Sequence, residues 1–255
     1  MKITVKVGTS TLTHKTGRLN IRRVEELCKV LSDVKNAGHD IVLVSSGAIG
    51  MGVGKLNMAD KPQDMPTTQA AAAVGQCELM YVYDNLFQEY NHTVGQILIT
   101  GEDLADNVRH ENFTNTLNRL LELGALPIIN ENDTIATSEI AVGDNDTLGA
   151  LVAASVKSDL FIVLTDINGL YTSDPRIDPE AKLISEVTEI TEEMLKGAGG
   201  QGSSLGTGGM ATKLSAAKIA MDAGVDMIIV NGSSPEIIYD AVEGKTAGTR
   251  FIAKK

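Results

Sequence analysis

Short runs of valine, isoleucine and leucine alternate along this chain with stretches of helical periodicity. The apolar runs predict strands at Lys2–Val7, Ile41–Val44, Val94–Ile99, Leu126–Ile129, Leu160–Leu164 and Met227–Val230. Three of them (IVLV, LFIVL and MIIV) are apolar throughout, as expected of strands covered on both faces. Residues Asn20–Ala37 put Ile21, Val24, Leu27, Cys28, Leu31 and Val34 on one stripe, predicting a helix stopped at Gly38. Further helices are predicted at Thr67–Tyr90, at Asn112–Leu123 before Gly124, and at Met210–Ala223 before Gly224. Strand–helix–strand alternation implies parallel crossovers and a layered α/β fold. Thr134–Val142 alternates more weakly and reads as a hairpin or an edge excursion.

Composition narrows the class. Of 255 residues, 43% are hydrophobic and 22% charged, which argues against disorder. Lysine and arginine total 22 against 33 acidic residues, a net charge of −11, which argues against a nucleic-acid binder or a polybasic membrane anchor. Anionic small ligands stay open, because they feel local fields. No run of 18 apolar residues predicts a membrane span, and the N-terminus lacks the apolar core of a secretory leader. Cys28 and Cys77 form no C-x-x-C pair and have no histidine nearby in sequence, which argues against zinc. Both cysteines are expected to be reduced and partly buried, as in a cytoplasmic protein. His14, His39, His92 and His110 match no metal or triad spacing and are expected at the surface.

The glycines are concentrated. Seven of the 25 fall in Gly197–Gly209, directly ahead of a predicted helix. This reads as a functional loop ending at a helix N-terminus rather than as a linker. So glycine-rich a loop loses much entropy on ordering, so it is expected to be mobile in the free protein. Two familiar phosphate motifs do not apply. Gly244-Lys245-Thr246 resembles the end of a P-loop, but the position of its first glycine is Tyr239. Gly206-Thr207-Gly208 with Ala211 fits dinucleotide spacing, but a loop precedes it where a strand is required.

Polar clusters follow the predicted strands. Lys6-Val7-Gly8-Thr9-Ser10 closes the first; Lys2, Thr4 and Lys6 read either as the wet face of an amphipathic strand or as a ligand end. Ser45-Ser46-Gly47 closes the second, with small residues that make room for a ligand or a tight turn. Asn130-Glu131-Asn132-Asp133-Thr134 follows LPII, and Gly143-Asp144-Asn145-Asp146-Thr147 opens a helix, where Asp144 or Asn145 could serve as its cap. Thr165 and Asp166 follow LFIVL. Lys213 sits near a helix start, where a cation opposes the helix dipole unless an anion also binds there.

Together, KVGTS at Lys6–Ser10, VSSGAI at Val44–Ile49, INENDT at Ile129–Thr134, VGDND at Val142–Asp146, LTDINGLYTSDPR at Leu164–Arg176 and GTGGMATK at Gly206–Lys213 resemble the amino acid kinase family. The likeness covers essentially the whole chain, in the family's order. It implies a three-layer αβα sandwich around an open, mainly parallel sheet. It further implies one kinase domain over residues 1–255, with a substrate half of about 1–150 and a nucleotide half of about 151–255. Many relatives carry an additional C-terminal PUA domain; this chain resembles the short form without it.

The implied reaction moves the γ-phosphoryl group of ATP, with Mg²⁺, to the side-chain carboxylate of L-glutamate, the first step of proline synthesis. By resemblance, Lys6 and Lys213 neutralise the transferring group and Asp146 holds them. Gly8, Ser46, Gly47, Asp133 and Asn145 contact the amino acid. Lys6, Thr165, Asp166 and the segment Thr207, Gly208, Gly209, Met210, Ala211, Thr212 and Lys213 contact the nucleotide, and no dedicated protein metal ligands are implied. Proline feedback, a homo-oligomer and hand-off to glutamyl phosphate reductase are also implied, with neither nucleic acid nor membrane as partner. A non-catalytic amino-acid sensor and a kinase for another carboxylate, such as acetylglutamate, are the alternatives.

Overall fold

A computed structural model describes residues 1–14, 18–60, 62–136, 145–173, 175, 177–197, 209–245 and 247–254. Its spine is an eight-stranded sheet: β1 (Lys2–Val7), β2 (Asp40–Ser45), β3 (Val94–Ile99), β4 (Leu126–Glu131), β5 (Leu160–Thr165), β6 (Glu186–Val187), β7 (Asp226–Asn231) and β8 (Thr249–Phe251). Their order is β3-β4-β2-β1-β5-β7-β8-β6, and β7 with β8 is the antiparallel pair. All six predicted strands are present, several longer by a residue or two. The carboxyl ends of β1, β2, β4, β5 and β7 therefore open along one edge of the sheet, the usual ligand edge of such folds.

The helices are α1 (Thr9–Leu12), α2 (Ile21–Asn36), α3 (Ala48–Lys55), α4 (Met65–Gln88), α5 (Gly101–Ala105), α6 (Asn107–Glu122), α7 (Asn145–Ser155), α8 (Glu192–Gly197), α9 (Met210–Asp222) and α10 (Ile237–Val242). Asn20 and Ala37 are the caps of α2, and the Asn20 side chain accepts from the Arg23 amide. Helix α6 starts five residues earlier than its apolar stripe, because Asp106 caps it through the Arg109 amide and its first turns are polar. Residues 134–136 of the predicted hairpin form a turn; residues 137–144 lie outside the described residues, as does the glycine-rich loop between Gly197 and Gly209, including Thr207 and Gly208.

Alternate residues of each strand feed opposite faces. Ile3, Val5 and Val7 join Ile41, Leu43, Ile162 and Ile228 in a core with α2, α4 and α10. On the other face, Phe161, Val163, Met227 and Ile229 pack on alanines of α7 and α9, and Val42, Val44 and Ile129 pack on α6 and α7. Two helical layers thus sandwich the sheet.

The polar positions of β1 are not a wet face. Thr4 and Lys6 are buried and Lys2 is half-buried, all turned toward α7 and the segment after it: Lys2 Nζ donates to Val156 O (2.7 Å), and Thr4 Oγ1 bonds Ser158 Oγ (2.8 Å). Other surface expectations need adjustment. Cys28 is buried, but Cys77 is exposed rather than partly buried, because it stands on the outer side of α4. Only His14 is exposed; His39, His92 and His110 are half-buried, His110 bonding Ser155 Oγ at 2.7 Å. Among the described residues, no helix is long and apolar enough to cross a membrane.

Candidate active site

The centre of the ligand edge is an ionic cluster. Lys6 projects from β1 onto the α7 face, where Asp146 stands in the first turn of its helix, a favourable place for a carboxylate. Lys6 Nζ lies 2.5 Å from Asp146 Oδ1, and Lys213 Nζ donates to Asp146 Oδ2 at 3.0 Å. Asp146 is 0% exposed, Lys213 5% and Lys6 7%. Burial alone would raise the Asp146 pKa; the two ammonium groups outweigh it and hold the carboxyl below its ordinary value. Helix α9 brings Lys213 within reach because small residues line its contact with α7: Ala216, Ala217 and Ala220 against Ala150 and Ala153. The carboxylate also offsets the poor placement of a cation near a helix N-terminus.

Around this cluster stand small groups. Gly8 caps α1, and a methyl group there would point between Lys6 Nζ (3.6 Å) and Leu164 O (3.8 Å), an ordinary contact. The fold itself therefore does not require glycine at position 8. Gly47 adopts φ +105° ahead of α3, where glycine is needed.

Asn145 opens α7 and ties it to the ends of two strands, β2 and β4. Its Nδ2 donates to Ser46 Oγ (2.7 Å), Ser45 O (3.1 Å) and Asn130 Oδ1 (3.1 Å). Asn130 Nδ2 donates to Gln76 Oε1 (2.9 Å). Ser45 Oγ donates to Ser46 O, which makes the buried Tyr83 hydroxyl the donor in its 2.8 Å bond to Ser45 Oγ. Gln76 and Tyr83 were not singled out from sequence, and Asn130 entered only as the first residue of the polar cluster after β4. The one sequence trace of Gln76 and Tyr83 is two polar residues spaced by seven on the buried stripe of an alanine-rich helix.

Asp133 stands further out, half-buried in the turn after β4; burial first, and Glu131 beside it, raise its pKa to about 6. Thr165 is buried at the end of β5, its Oγ1 donating to the exposed Asp166 (3.2 Å). Gly209 caps α9 and Met210, Ala211 and Thr212 form its first turn, with Thr212 Oγ1 on Gly209 O (2.8 Å). The structure thus gathers Lys6, Asp146 and Lys213 into one cluster and Ser46 with Asn145 into another. Among the described residues, no group of three or more histidine, cysteine or acidic side chains is placed to hold a metal ion.

The model of the amino acid kinase family matches residues 1–231. Glutamate 5-kinase of Clostridium tetani is 55% identical over 99% of this chain and 95% of its own length. Glutamate 5-kinase of Caldanaerobacter subterraneus is 49% identical over the full chain, which spans 68% of that longer relative. Among solved structures, carbamate kinase from Giardia lamblia bound to AMP-PNP superposes with a TM-score of 0.71 at 18% identity, covering 99% of this chain and 98% of its own. Isopentenyl phosphate kinase of T. acidophilum, in a product complex, gives 0.67 at 17%, covering 98% and 100%. The chain belongs to the amino acid kinase family, on its glutamate 5-kinase branch.

Proposed function

We infer that this chain transfers the γ-phosphoryl group of ATP to the side-chain carboxylate of L-glutamate, giving L-glutamyl 5-phosphate and ADP, the first step of proline synthesis. The observation that carries the reading is the pair of buried lysines converging on Asp146 at the ligand edge. A carboxylate is a nucleophile at pH 7, with a pKa near ~4.3, so no general base is needed. The obstacle is repulsion between two anions, and it is met by positioning and charge neutralisation. Lys6 and Lys213 receive the transferring group from two sides, and Asp146, engaged by both, keeps them in place rather than moving a proton.

Residues 1–150 supply the amino-acid side. Gly8, Ser46 and Gly47 offer backbone and hydroxyl donors, while Asp133 and Asn145 orient glutamate, Asp133 through the ammonium group. Residues 151–255 supply the nucleotide side, with Thr165, Asp166 and the segment 207–213. With Asp146 engaged by lysines, the donor set fits a magnesium ion that arrives on the nucleotide and keeps phosphate and water ligands. When bound, that ion neutralises phosphate charge. The acyl phosphate product is labile, which favours direct delivery to a reductase in the cytoplasm. Proline feedback and assembly of several copies fit the branch to which the chain belongs.

The test is ATP- and glutamate-dependent ADP release with the product trapped as its hydroxamate, run beside acetylglutamate and aspartate. Turnover with glutamate alone is expected. Binding of glutamate without turnover would instead identify a sensor, and turnover of another carboxylate a different kinase.

A further inference from the structure

Buried polar groups on a helix that could carry leucine are costly unless they are bonded. Helix α4 carries two, Gln76 (8% exposed) and Tyr83 (0%), seven residues apart on its packed side. Each reaches a strand end on the amino-acid side of the edge: Tyr83 reaches Ser45 at the end of β2, and Gln76 reaches Asn130 near the end of β4. Ser45 and Asn130 sit side by side, each one residue past the paired Val44 and Ile129.

Two backbone groups fix the polarity of this network. The Ser45 carbonyl can only accept, so the Asn145 atom 3.1 Å from it is Nδ2. The Glu131 amide can only donate, so the Asn130 atom 2.9 Å from it is Oδ1. Asn130 therefore turns Nδ2 to Gln76, and the oxygen of Gln76 is the partner that locks it. Asn130 Oδ1 and Ser46 Oγ then take up the hydrogens of Asn145 Nδ2 together with Ser45 O. The group that Asn145 has left to offer a ligand is Oδ1, a pure acceptor.

We propose that Gln76 is a positioning residue that, through Asn130, aims the acceptor oxygen of Asn145 at the α-ammonium group of the amino acid. The assignment rests on glutamate as substrate and deepens that reading. Ser46 Oγ, accepting from Asn145, keeps its own hydrogen to donate toward a substrate carboxylate. Selection for an amino group at this end of the site is then partly set by a residue on α4, one layer behind those that face the ligand.

The experiment compares glutamate with glutarate, which lacks the amino group, in the intact enzyme and in Gln76→Met. Binding is read by calorimetry, turnover by ADP release and folding by circular dichroism. Gln76→Met is expected to weaken glutamate binding about tenfold or more, the size of one lost charge-assisted bond, with glutarate binding and the KM for ATP within about twofold. Gln76→Glu keeps an oxygen facing Asn130 and is expected to recover most of the loss. Should Gln76→Met fail to fold, Gln76→Asn, one methylene shorter, reports the same loss. Equal weakening of glutamate and glutarate, or unchanged discrimination in a folded variant, overturns the proposal. A wild-type enzyme that binds glutamate in a Gln76-dependent way but never phosphorylates it overturns the kinase reading and leaves this assignment standing.

Discussion

At the scale of single residues, the site depends on charges placed where they are costly to leave unpartnered. Lys6→Ala and Lys213→Ala are each expected to lower kcat by at least ~10²-fold, the usual loss on removing one electrostatic stabiliser. Steady-state kinetics check this, and a lysine variant with wild-type kcat would sink the assignment. Asp133→Ala is expected to act mainly on the KM for glutamate. The raised pKa of Asp133, about 6, adds a pH signature. Its carboxylate is the form that pairs with an ammonium group, so the KM for glutamate should fall as pH rises through about 6. Asp133→Asn should flatten that change while leaving the titration of ATP and glutamate themselves. Lys6, Asp146 and Lys213 were legible in the sequence because each lies in a short motif at a strand or helix end. Asn130 was legible only as part of the polar cluster after β4, and Gln76 was not read at all, because periodicity does not reveal that a buried polar residue meets a partner 54 positions away.

Among elements, close backbone contact sets the packing of α3 on α4. A methyl group on Gly75 would fall 1.8 Å from Ala48 O, and one on Gly52 1.8 Å from Ala71 O, so α3 and α4 touch backbone to backbone. Gly75→Ala should push α3 away and cost about 1–3 kcal/mol of stability. Because α3 continues directly from Ser46 and Gly47, the KM for glutamate should rise while that for ATP changes little. Thermal melts with kinetics decide it; an alanine variant with the wild-type melting temperature contradicts the packing. Helix α3 was legible only as a polar strand end, since three glycines in eight residues argue against a helix on propensity alone. Packing against α4 overrides that preference. The short strands β6 and β8 escaped for a different reason: two and three residues carry no period, and pairing with neighbours alone makes them strands.

Over the whole molecule, the layered plan was readable from strands apolar at every position, which need cover on both faces. Which helix covers which face was not, because it is decided by contacts between distant segments. The shared carboxylate adds an acid signature. Its folded pKa lies below its unfolded value near ~3.9, so its contribution to stability is complete above that value and is lost as pH falls through the folded pKa. Asp146→Asn leaves two buried lysines without their anion and should cost about 3–5 kcal/mol at neutral pH. The gap in melting temperature between wild type and Asp146→Asn should narrow once pH drops below ~4; a constant gap would refute the ionic origin. The same carboxylate also bears on the order in which the protein comes into being. Its two lysines come from the first strand and from a helix 67 residues further along than Asp146 itself. A growing chain emerging from the ribosome can build the sheet through β5 and still hold only half of its charge clamp. The clamp is therefore completed late in synthesis, when α9 docks on α7.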